Sequence, residues 1–521
     1  MWQSIVNASQ WKYIQEEQFD TYSCGGVLPT STMCQSTYLP FAWVRIDRHN
    51  HQILAARDHF GQEPLYYFFE NNNFIFGSNI PDILAHLEQR PSFTHHLAQD
   101  CFLRKPSEDL PLAIETYYKG IFRVKPGHYL VIKGPDQVSQ EPFWQIDMTK
   151  PSLNYIDERD YVEHFSELLN AAVLETTQGA HSLAAEFSGG VDSTMVFTTC
   201  RRMRLEPTLY TQAIPSHYTL SDETHNVDII LRQYDWKKNH CYVNDTLFDP
   251  FDIFKKVASI YASPPPYLLG TLASNLHQMV ATRGHDVILS GVGGDDLVSH
   301  SFPPQIAFPQ KWQEEGCYGI YQDLKQLKFV SEKLRYIYER TNYSTPFFHH
   351  VLSSIHRRYR ALSENHKSYR PSLQPFYPSL RQYEYNNVQG DYSHELLMRI
   401  EYDAILAKSY GFRFAYPLLY PPLIEFCLRL PLQQKLNIYK TRLLARRYLA
   451  QEVPLMKFRT KGGSLAPNTM QKCRNYRDNG LFTASFQKLP FDYIIQTETR
   501  QDPKLLLQIN AYILALCTSD S

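Results

Sequence analysis

Short glycine-containing segments carry the residues of this sequence whose types and spacing could do chemistry. The first is SGGVDS at 188–193, which directly follows an apolar run, SLAAEF. A strand that ends at Phe187 and turns through two glycines into a helix leaves backbone N–H groups unpaired, and the helix N-terminus favours an anion. Ser188 and Ser193 add hydroxyl donors, and Asp192 could hold a divalent cation that bridges phosphate oxygens. The segment predicts a phosphate site rather than an ordinary strand-to-helix turn.

The second segment, GVGGDD at 291–296, follows another apolar run, DVILS. Its glycines allow backbone to approach a ligand, and Asp295 and Asp296 could complete a metal site. Taken alone, the segment would fit a glycine turn with capping aspartates equally well. In one parallel sheet with SGGVDS, it would lie at the carboxyl ends of the strands, where such sheets bind ligands.

The third segment is cationic, KFRTKGGS at 457–464, and Lys440 precedes it in the chain. A loop of this kind is ordinarily a solvated surface. Beside a phosphate site, its positive charge would stabilise a leaving pyrophosphate and a developing oxyanion. Glycine is otherwise scarce, with 22 residues in 521, so its clusters indicate places of close backbone approach.

The elements that must position these segments fall into two regions. Apolar-rich segments in the first 150 residues form three predicted hairpins, with a helix expected near 80–89. The hairpins join 41–47 with 52–58, 65–70 with 74–79, and 128–133 with 142–146. The first region is therefore predicted to be mainly β, and we place it at 1–150.

The pattern changes after residue 155, where a helical stripe at 158–176 is followed by alternating strand and helix signals. The predicted strands lie at 182–187, 208–214, 239–245 and 286–291. Alternation of this kind predicts a parallel sheet covered by helices. Helix-length amphipathic stretches dominate from about 305 onward. We place this second region at 155–521.

Composition excludes several classes of function. The chain has 52 Lys+Arg against 53 Asp+Glu, a net charge of −1, which argues against a nucleic-acid-binding surface. We expect no membrane span and no secretory signal, and therefore a cytoplasmic protein, because no apolar run is long enough and the N-terminus lacks the signal pattern. The 9 dispersed cysteines contain no CxxC pair, which favours reduced thiols over disulfides.

The order SGGVDS, SGVGGDD, Lys440 and RTKGG resembles the asparagine synthetase superfamily of ATP pyrophosphatases. In the first region, RDHFGQEPLYY at 57–67 and GIFRVKPGHYL at 120–130 resemble the glutaminase-type domain of those enzymes. The resemblance covers about 40–465. It implies an α/β chain in which an N-terminal, β-rich Ntn-hydrolase domain precedes a parallel-sheet ATP pyrophosphatase domain with a helical extension.

This resemblance implies ATP and Mg²⁺ as cofactors. A substrate carboxylate would attack the α-phosphate to give an acyl-adenylate, and an amine would then displace AMP to form an amide. Lys461 would stabilise the charge that develops in the second step, and Asp192 and Asp295 would hold Mg²⁺. The residues implied to bind ATP are Ser188, Gly189, Gly190, Asp192, Ser193, Tyr210, Gln212, Gly291 and Lys440.

The glutaminase chemistry of the family has no counterpart in this sequence. Those enzymes use a cysteine immediately after the initiator methionine, where this chain has Trp2, and the Asn-Gly-Glu segment that binds glutamine is missing before residue 41. A thiol nucleophile must lie within reach of its base, and Cys24 is displaced from the expected position. We therefore expect no glutamine hydrolysis and a scaffolding role for the first domain.

A second departure lies at Val292. The corresponding segment of asparagine synthetases has the form SGxGxDE, and its first x, which aligns with Val292, is glutamate. Valine can neither take a proton nor pair with an amine. β-Lactam synthetases also differ here and use a glutamate from a later helix. In this chain Glu401, ten residues before Gly411, is the corresponding candidate. The alternative for Glu401 is a solvated charge on a helix surface.

The pattern is closest to lasso-peptide cyclases, which are macrolactam synthetases, and to β-lactam synthetases. It implies an ATP-dependent amide ligase that closes an intramolecular amide in a peptide or a small amino-acid substrate. A leader-peptide-binding protein and a protease are candidate partners. One alternative is synthesis of asparagine from aspartate and ammonia or glutamine. Another is a non-catalytic relative, against which the intact SGGVDS and GGDD argue.

Overall fold

The chain has an α/β fold, seen here in a computed structural model. The structure describes residues 11–16, 18–25, 37–70, 73–94, 114–134, 137–213, 224–244, 249–263, 275–299, 307–329, 332–333, 380–389, 393–437 and 440–454. Antiparallel sheets occupy its N-terminal part, and a parallel sheet with helices follows. No helix in these ranges is long and apolar enough to cross a lipid bilayer.

Two antiparallel sheets form the N-terminal part. The larger has strand order β1-β2-β3-β4-β8-β9 and the smaller has order β6-β5-β7. The strands are β1 (Lys12–Gln15), β2 (Phe19–Gly25), β3 (Phe41–Asp47), β4 (Ile53–Arg57), β5 (Tyr66–Glu70), β6 (Asn73–Gly77), β7 (Ile121–Arg123), β8 (His128–Gly134) and β9 (Gln137–Pro142), with helix α1 (Ile80–Leu84) after β6. Val44 and Ile53 of the larger sheet pack in one core with Phe74 and Phe76 of the smaller, so the two sheets share a hydrophobic interior.

A five-stranded, all-parallel sheet follows, in the order β12-β11-β10-β13-β14. Its strands are β10 (Leu183–Glu186), β11 (Thr208–Ala213), β12 (His240–Asn244), β13 (Val287–Leu289) and β14 (Arg413–Ala415). The helices are α2 (Glu158–Thr176), α3 (Val191–Arg202), α4 (Thr224–Gln233), α5 (Pro250–Tyr261), α6 (Asn275–Thr282), α7 (Phe308–Gln326), α8 (Leu380–Gln389), α9 (Ser393–Tyr410), α10 (Pro421–Leu428), α11 (Leu432–Lys435) and α12 (Leu443–Ala450). Because neighbouring parallel strands all end at one edge, the loops that follow β10, β13 and β14 meet there.

Most sequence-predicted elements are present, and one is wrong. The predicted hairpins at 41–58 and 65–79, the helix at 158–176 and four parallel strands are confirmed within a residue or two. The third hairpin pairs β8 with Gln137–Pro142 instead of 142–146. This strand, QVSQEP, is polar and mostly exposed, so it carries no apolar signal. Its register follows from backbone pairing with β8.

Helix α9 joins the parallel-sheet region to the smaller antiparallel sheet. Met398, Tyr402 and Ile405 of α9 lie in the same hydrophobic cluster as Tyr66 and Ile75 of the antiparallel sheet. Glu401 of the same helix pairs with Arg57 and Arg123 of the N-terminal part. The two regions are therefore packed through a shared core.

Candidate active site

The loop between β10 and α3 has the geometry of an anion site. Gly190 is the N-cap residue of α3 and has an extended backbone. Because glycine has no side chain, the helix begins without a side-chain cap. The Ser188 hydroxyl accepts from the Gly190 backbone N–H at 3.1 Å and lies 3.2 Å from the Ser193 hydroxyl. The loop is thus held closed around the helix N-terminus, where the helix dipole favours a negative ligand.

The loop after β13 packs directly onto this helix. A side chain at Gly291 would come within 2.9 Å of the Ser193 backbone nitrogen, and one at Gly294 would overlap the Asp192 carboxylate. Both positions therefore need glycine, because a side chain would keep the loop after β13 from approaching the start of α3. The predicted meeting of SGGVDS and GVGGDD is confirmed in the structure.

Asp192 and Asp295 converge on one cation, the guanidinium of Arg442. Arg442 Nη1 lies 3.2 Å from Asp192 Oδ2, and Nη2 pairs with Asp295 Oδ1. Arg442 has a left-handed φ of 65° at the start of α12 and is 9% exposed. Burial raises the pKa of Asp192, and Arg442 opposes that shift. Nothing in the sequence around Arg442 indicated this contact.

The chemistry of Asp192 and Asp295 fits a magnesium ion, which they would hold beside phosphate. The buried Asp192 Oδ1 makes no hydrogen bond within the described residues, and a second carboxylate lies near enough to share a counter-ion with it. Magnesium in nucleotide sites is bound by one or two carboxylates together with phosphate oxygens. In the part of the chain that the structure describes, no group of three or more His, Cys, Asp or Glu forms a closed metal cage. Asp192 and Asp295 would hold the ion, and it would neutralise charge on the phosphates.

Replacing Arg442 with glutamine is expected to lower the melting temperature in the absence of divalent ions and to enlarge the stabilisation that Mg²⁺ provides. The variant removes the guanidinium that the two neighbouring carboxylates share, a loss of roughly 1–2 kcal/mol because Asp295 is partly exposed. Thermal melting of both proteins across a Mg²⁺ titration measures this. Arg447→Gln, which removes an ion pair with Glu158 and a hydrogen bond to Gln434 but leaves both aspartates with Arg442, is the control. Equal Mg²⁺ shifts in wild type and variant would show that the aspartates do not hold the ion.

Comparison with known proteins agrees with this geometry. Residues 164–481 match the asparagine synthase family model, and residues 32–144 match a glutamine amidotransferase domain. The chain belongs to the asparagine synthase family. Members of this family are ATP-dependent carbon–nitrogen ligases.

The relatives of this asparagine synthase-family chain carry different names. Amidase chry2 of Gibberella zeae is 26% identical over 352 residues, which are 61% of this chain and 49% of the relative. Amidase chyE of Penicillium rubens is 26% identical over 322 residues, 54% and 46% of the two chains. The glutamine-hydrolysing asparagine synthetase 3 of Bacillus subtilis is 28% identical over 156 residues, 30% and 24%. The chain thus spans about half the length of the two amidases and about a quarter of the length of the asparagine synthetase.

The remaining residues that the family resemblance assigned to ATP are only partly brought together. Gln212, near the carboxyl end of β11, has a buried side-chain nitrogen with no hydrogen-bond partner in the described ranges, which suits a ligand contact. Tyr210 instead directs its hydroxyl to His285 Nε2 at 2.9 Å, and His285 precedes β13 at the opposite edge of the sheet. Lys440 lies two residues before Arg442 and is partly buried. Lys461 lies outside the described residues.

Glu401 does not have the environment that the sequence interpretation required. It is 2% exposed and its carboxylate pairs with Arg57 at 2.9 Å and Arg123 at 2.8 Å, while the Tyr66 hydroxyl donates to it at 2.5 Å. Burial alone would raise the pKa of Glu401, but Arg123 and Arg57 outweigh it and lower the pKa to about 2. Arg123 holds one oxygen of this buried carboxylate and Arg57 holds the other, so a substrate amine has no access to it. The expectation of a replacement base at Glu401, and its alternative of a solvated charge, are both corrected by this geometry.

The N-terminal domain shows no reactive thiol among its described residues. Cys24 is buried, its thiol lies 3.4 Å from Glu63 Oε2, and the Lys408 ammonium lies 3.5 Å from its sulfur. Burial, followed by the charge of Glu63, raises the pKa of Cys24 to about 11. The thiolate is the nucleophilic form, so Cys24 is suited to packing and not to catalysis.

Proposed function

We propose that this chain is an ATP-dependent amide ligase that activates a substrate carboxylate as its adenylate and closes an intramolecular amide, as a lasso-peptide macrolactam cyclase does, without hydrolysing glutamine. The observation that carries the ATP chemistry is that the Asp192 and Asp295 carboxylates meet at the Arg442 guanidinium, beside the N-terminus of α3. The helix N-terminus and the loop N–H groups would bind phosphate. Lys461 would stabilise the charge that develops as the amide forms.

The uncharged side chain at position 292 favours an amine carried by the substrate over free ammonia. Val292 packs its side chain against the hydrophobic core, so it offers no charge to capture free ammonia. The inert environment of Cys24 supports an N-terminal domain that delivers no ammonia from glutamine. An amine carried by the substrate itself arrives at high effective concentration, so it needs no ammonia from glutamine and no charge at position 292 to concentrate it. The proposal includes a cytoplasmic location, a peptide or small amino-acid substrate, and a leader-peptide-binding protein and a protease as partners.

Mass spectrometry of reaction products tests this proposal. The protein is incubated with Mg²⁺ and ATP in two reactions, one with aspartate and ammonium and one with a precursor peptide encoded beside the gene. We expect a peptide lighter by one water, formed only with ATP and accompanied by AMP. The matched control is the same peptide with an acetylated N-terminus, which retains the carboxylate and lacks the α-amine, and it should lose no water.

The second candidate function is asparagine synthesis from ammonia or glutamine, which the asparagine synthetase name of a Bacillus subtilis relative favours. Asparagine and AMP in the first reaction would establish it and would overturn the cyclase. Water loss from the acetylated peptide would show that another amine is used. Absence of AMP in every reaction would contradict ligase activity on both substrate classes.

A further inference from the structure

A second polar cluster lies at the same carboxyl edge of the parallel sheet, beside the two loops. Strands β10, β13 and β14 are neighbours there, so residues distant in the sequence are brought side by side. Glu186 ends β10, Ser290 follows β13 and Tyr416 follows β14, while His277 comes from α6 and Asp403 from α9. None of these residues is among those that the sequence motifs assigned to ATP or to metal.

Glu186 is linked through hydrogen bonds to the position where the base is missing. The Ser290 hydroxyl donates to Glu186 Oε2 at 2.5 Å, and the Val292 backbone N–H donates to the same hydroxyl at 3.4 Å. His277 Nε2 faces Glu186 Oε1 at 3.6 Å. The Glu186 carboxylate therefore lies two hydrogen bonds from the backbone of Val292, whose own side chain packs into the core.

The environment keeps Glu186 charged and accessible. Its side chain is 31% exposed, whereas the His277 side chain is 7% exposed. Burial raises the pKa of Glu186, but His277 and Ser290 outweigh burial and the net shift is downward. His277 Nδ1 is buried and has no hydrogen-bond partner in the described part of the chain. The cluster thus holds a negative charge on a partly exposed side chain and a buried polar atom that makes no hydrogen bond within the described residues.

Asp403 forms the less accessible side of this cluster. Its Oδ2 lies 3.4 Å from the Tyr416 hydroxyl, which donates to it, and 3.6 Å from Arg399 Nε. Its side chain is 14% exposed, and burial raises the pKa of Asp403 to about 6. Because its side chain is less than half as exposed as that of Glu186, Glu186 is the carboxylate more accessible to a substrate.

We propose that Glu186 binds the incoming amine as its ammonium and accepts a proton from it, in place of the carboxylate that is missing at position 292. This rests on the proposed function. Ser290 and His277 are positioning residues that fix the Glu186 carboxylate. An ammonium ion on the substrate suits this site because the carboxylate supplies both a counter-charge and a hydrogen-bond acceptor.

The proposed step starts from an acyl-adenylate and a protonated amine. The ammonium gives one proton to a Glu186 oxygen, and the freed nitrogen lone pair forms a bond to the acyl carbon. The carbon–oxygen bond to AMP then breaks, and its electron pair stays on the AMP phosphate. The second nitrogen proton goes to water, and Glu186 returns its proton to solvent once AMP has left.

The test separates adenylate formation from amide formation in Glu186→Gln. Adenylation is measured as ATP–pyrophosphate exchange with the N-acetylated precursor peptide, which cannot cyclise through its N-terminus. Amide formation is measured as cyclisation of the free peptide. We expect exchange within about twofold of wild type and cyclisation lowered by roughly 10²–10⁴-fold, the usual contribution of a positioned general base. Glu186→Asp should retain part of the activity, and Glu163→Gln, on the exposed face of α2, is the control.

Hydroxylamine distinguishes proton transfer from a structural role. It is largely unprotonated at neutral pH, so it attacks an acyl-adenylate without a base. With the acetylated peptide, Glu186→Gln should form the hydroxamate at close to the wild-type rate. A merely structural role would lower exchange, cyclisation and hydroxamate formation together, and that result would overturn the proposal.

The remaining outcomes are also decisive. Unchanged cyclisation in Glu186→Gln would remove Glu186 from the amine step. Absence of pyrophosphate exchange in the wild type would overturn the proposed function and the amine site with it. Failure of the proposed function is thus seen in the wild type, whereas failure of the Glu186 assignment is seen only in the variant.

Discussion

Asp192→Asn is expected to lower ATP consumption by at least about 10³-fold, because it removes one of two carboxylates that would hold Mg²⁺ against the phosphates. A bound metal contributes several kcal/mol of charge stabilisation in such reactions, and each 1.36 kcal/mol is about tenfold in rate. Asparagine keeps the shape that packs against Gly294 while losing the charge. The effect should therefore be on chemistry and not on packing.

Release of AMP and pyrophosphate measures this loss. The fold should persist, since Arg442 still pairs with Asp295 when Asp192 is neutral. Thermal melting checks that point. Asp228→Asn is the control, because the Asp228 carboxylate accepts from the exposed Tyr242 hydroxyl at 2.9 Å and is not one of the two carboxylates that would hold the ion. Turnover retained in Asp192→Asn would remove the proposed metal role of Asp192.

The two loops could be predicted from sequence because their signals are local. In each, an apolar strand runs directly into glycines and then into polar residues, so strand, turn and helix start are read from one stretch. Parallel topology then requires both loops to lie at one edge. The contacts of Gly291 and Gly294 with Ser193 and Asp192 bear this out.

Arg442 and Glu186 were missed for different reasons. Arg442 meets Asp192 across 250 residues, and no local pattern reports a contact of that range. Glu186 did carry a signal, since it is an acidic residue at the end of an otherwise apolar strand that leads into SGGVDS. A charge in that position is costly unless it is paired or functional.

Glu401 shows the limit of helix periodicity. A charged residue on a predicted helix is ordinarily assigned to solvent or, beside a proposed site, to chemistry. Its two arginine partners lie in the N-terminal domain, and the Arg123 pair spans 278 residues. Which face of α9 is buried depends on packing between regions, which the sequence of one helix does not contain.

Glu401→Gln is expected to reduce the free energy of unfolding by about 3–5 kcal/mol, the usual cost of removing one partner from a buried ion pair. The variant leaves Arg57 and Arg123, both 3% exposed or less, without their carboxylate. Urea unfolding at pH 7 measures the change. Glu425→Gln, which loses a half-exposed pair with Lys150, should cost about 1 kcal/mol or less and serves as the control.

The same variant has a defined pH dependence. The pKa of Glu401 is lowered from 4.5 to about 2, so the folded state favours its ionised form. The stability that this carboxylate contributes is fully present above pH about 4.5 and is lost as pH falls toward 2. The difference in unfolding free energy between wild type and Glu401→Gln should therefore shrink across that window. A difference that stayed constant would contradict the ion-pair assignment.

Glu401→Gln also separates architecture from catalysis. Measured at a temperature where both proteins are folded, its cyclisation rate should stay within about threefold of wild type, because a buried carboxylate with both oxygens held by arginines does not contact the substrate amine. Glu186→Gln should show the reverse, with a small stability change and a large loss in the amine step. If Glu401→Gln instead lost cyclisation while keeping pyrophosphate exchange, the base would lie on α9, and the buried arginine pair would have to open during turnover.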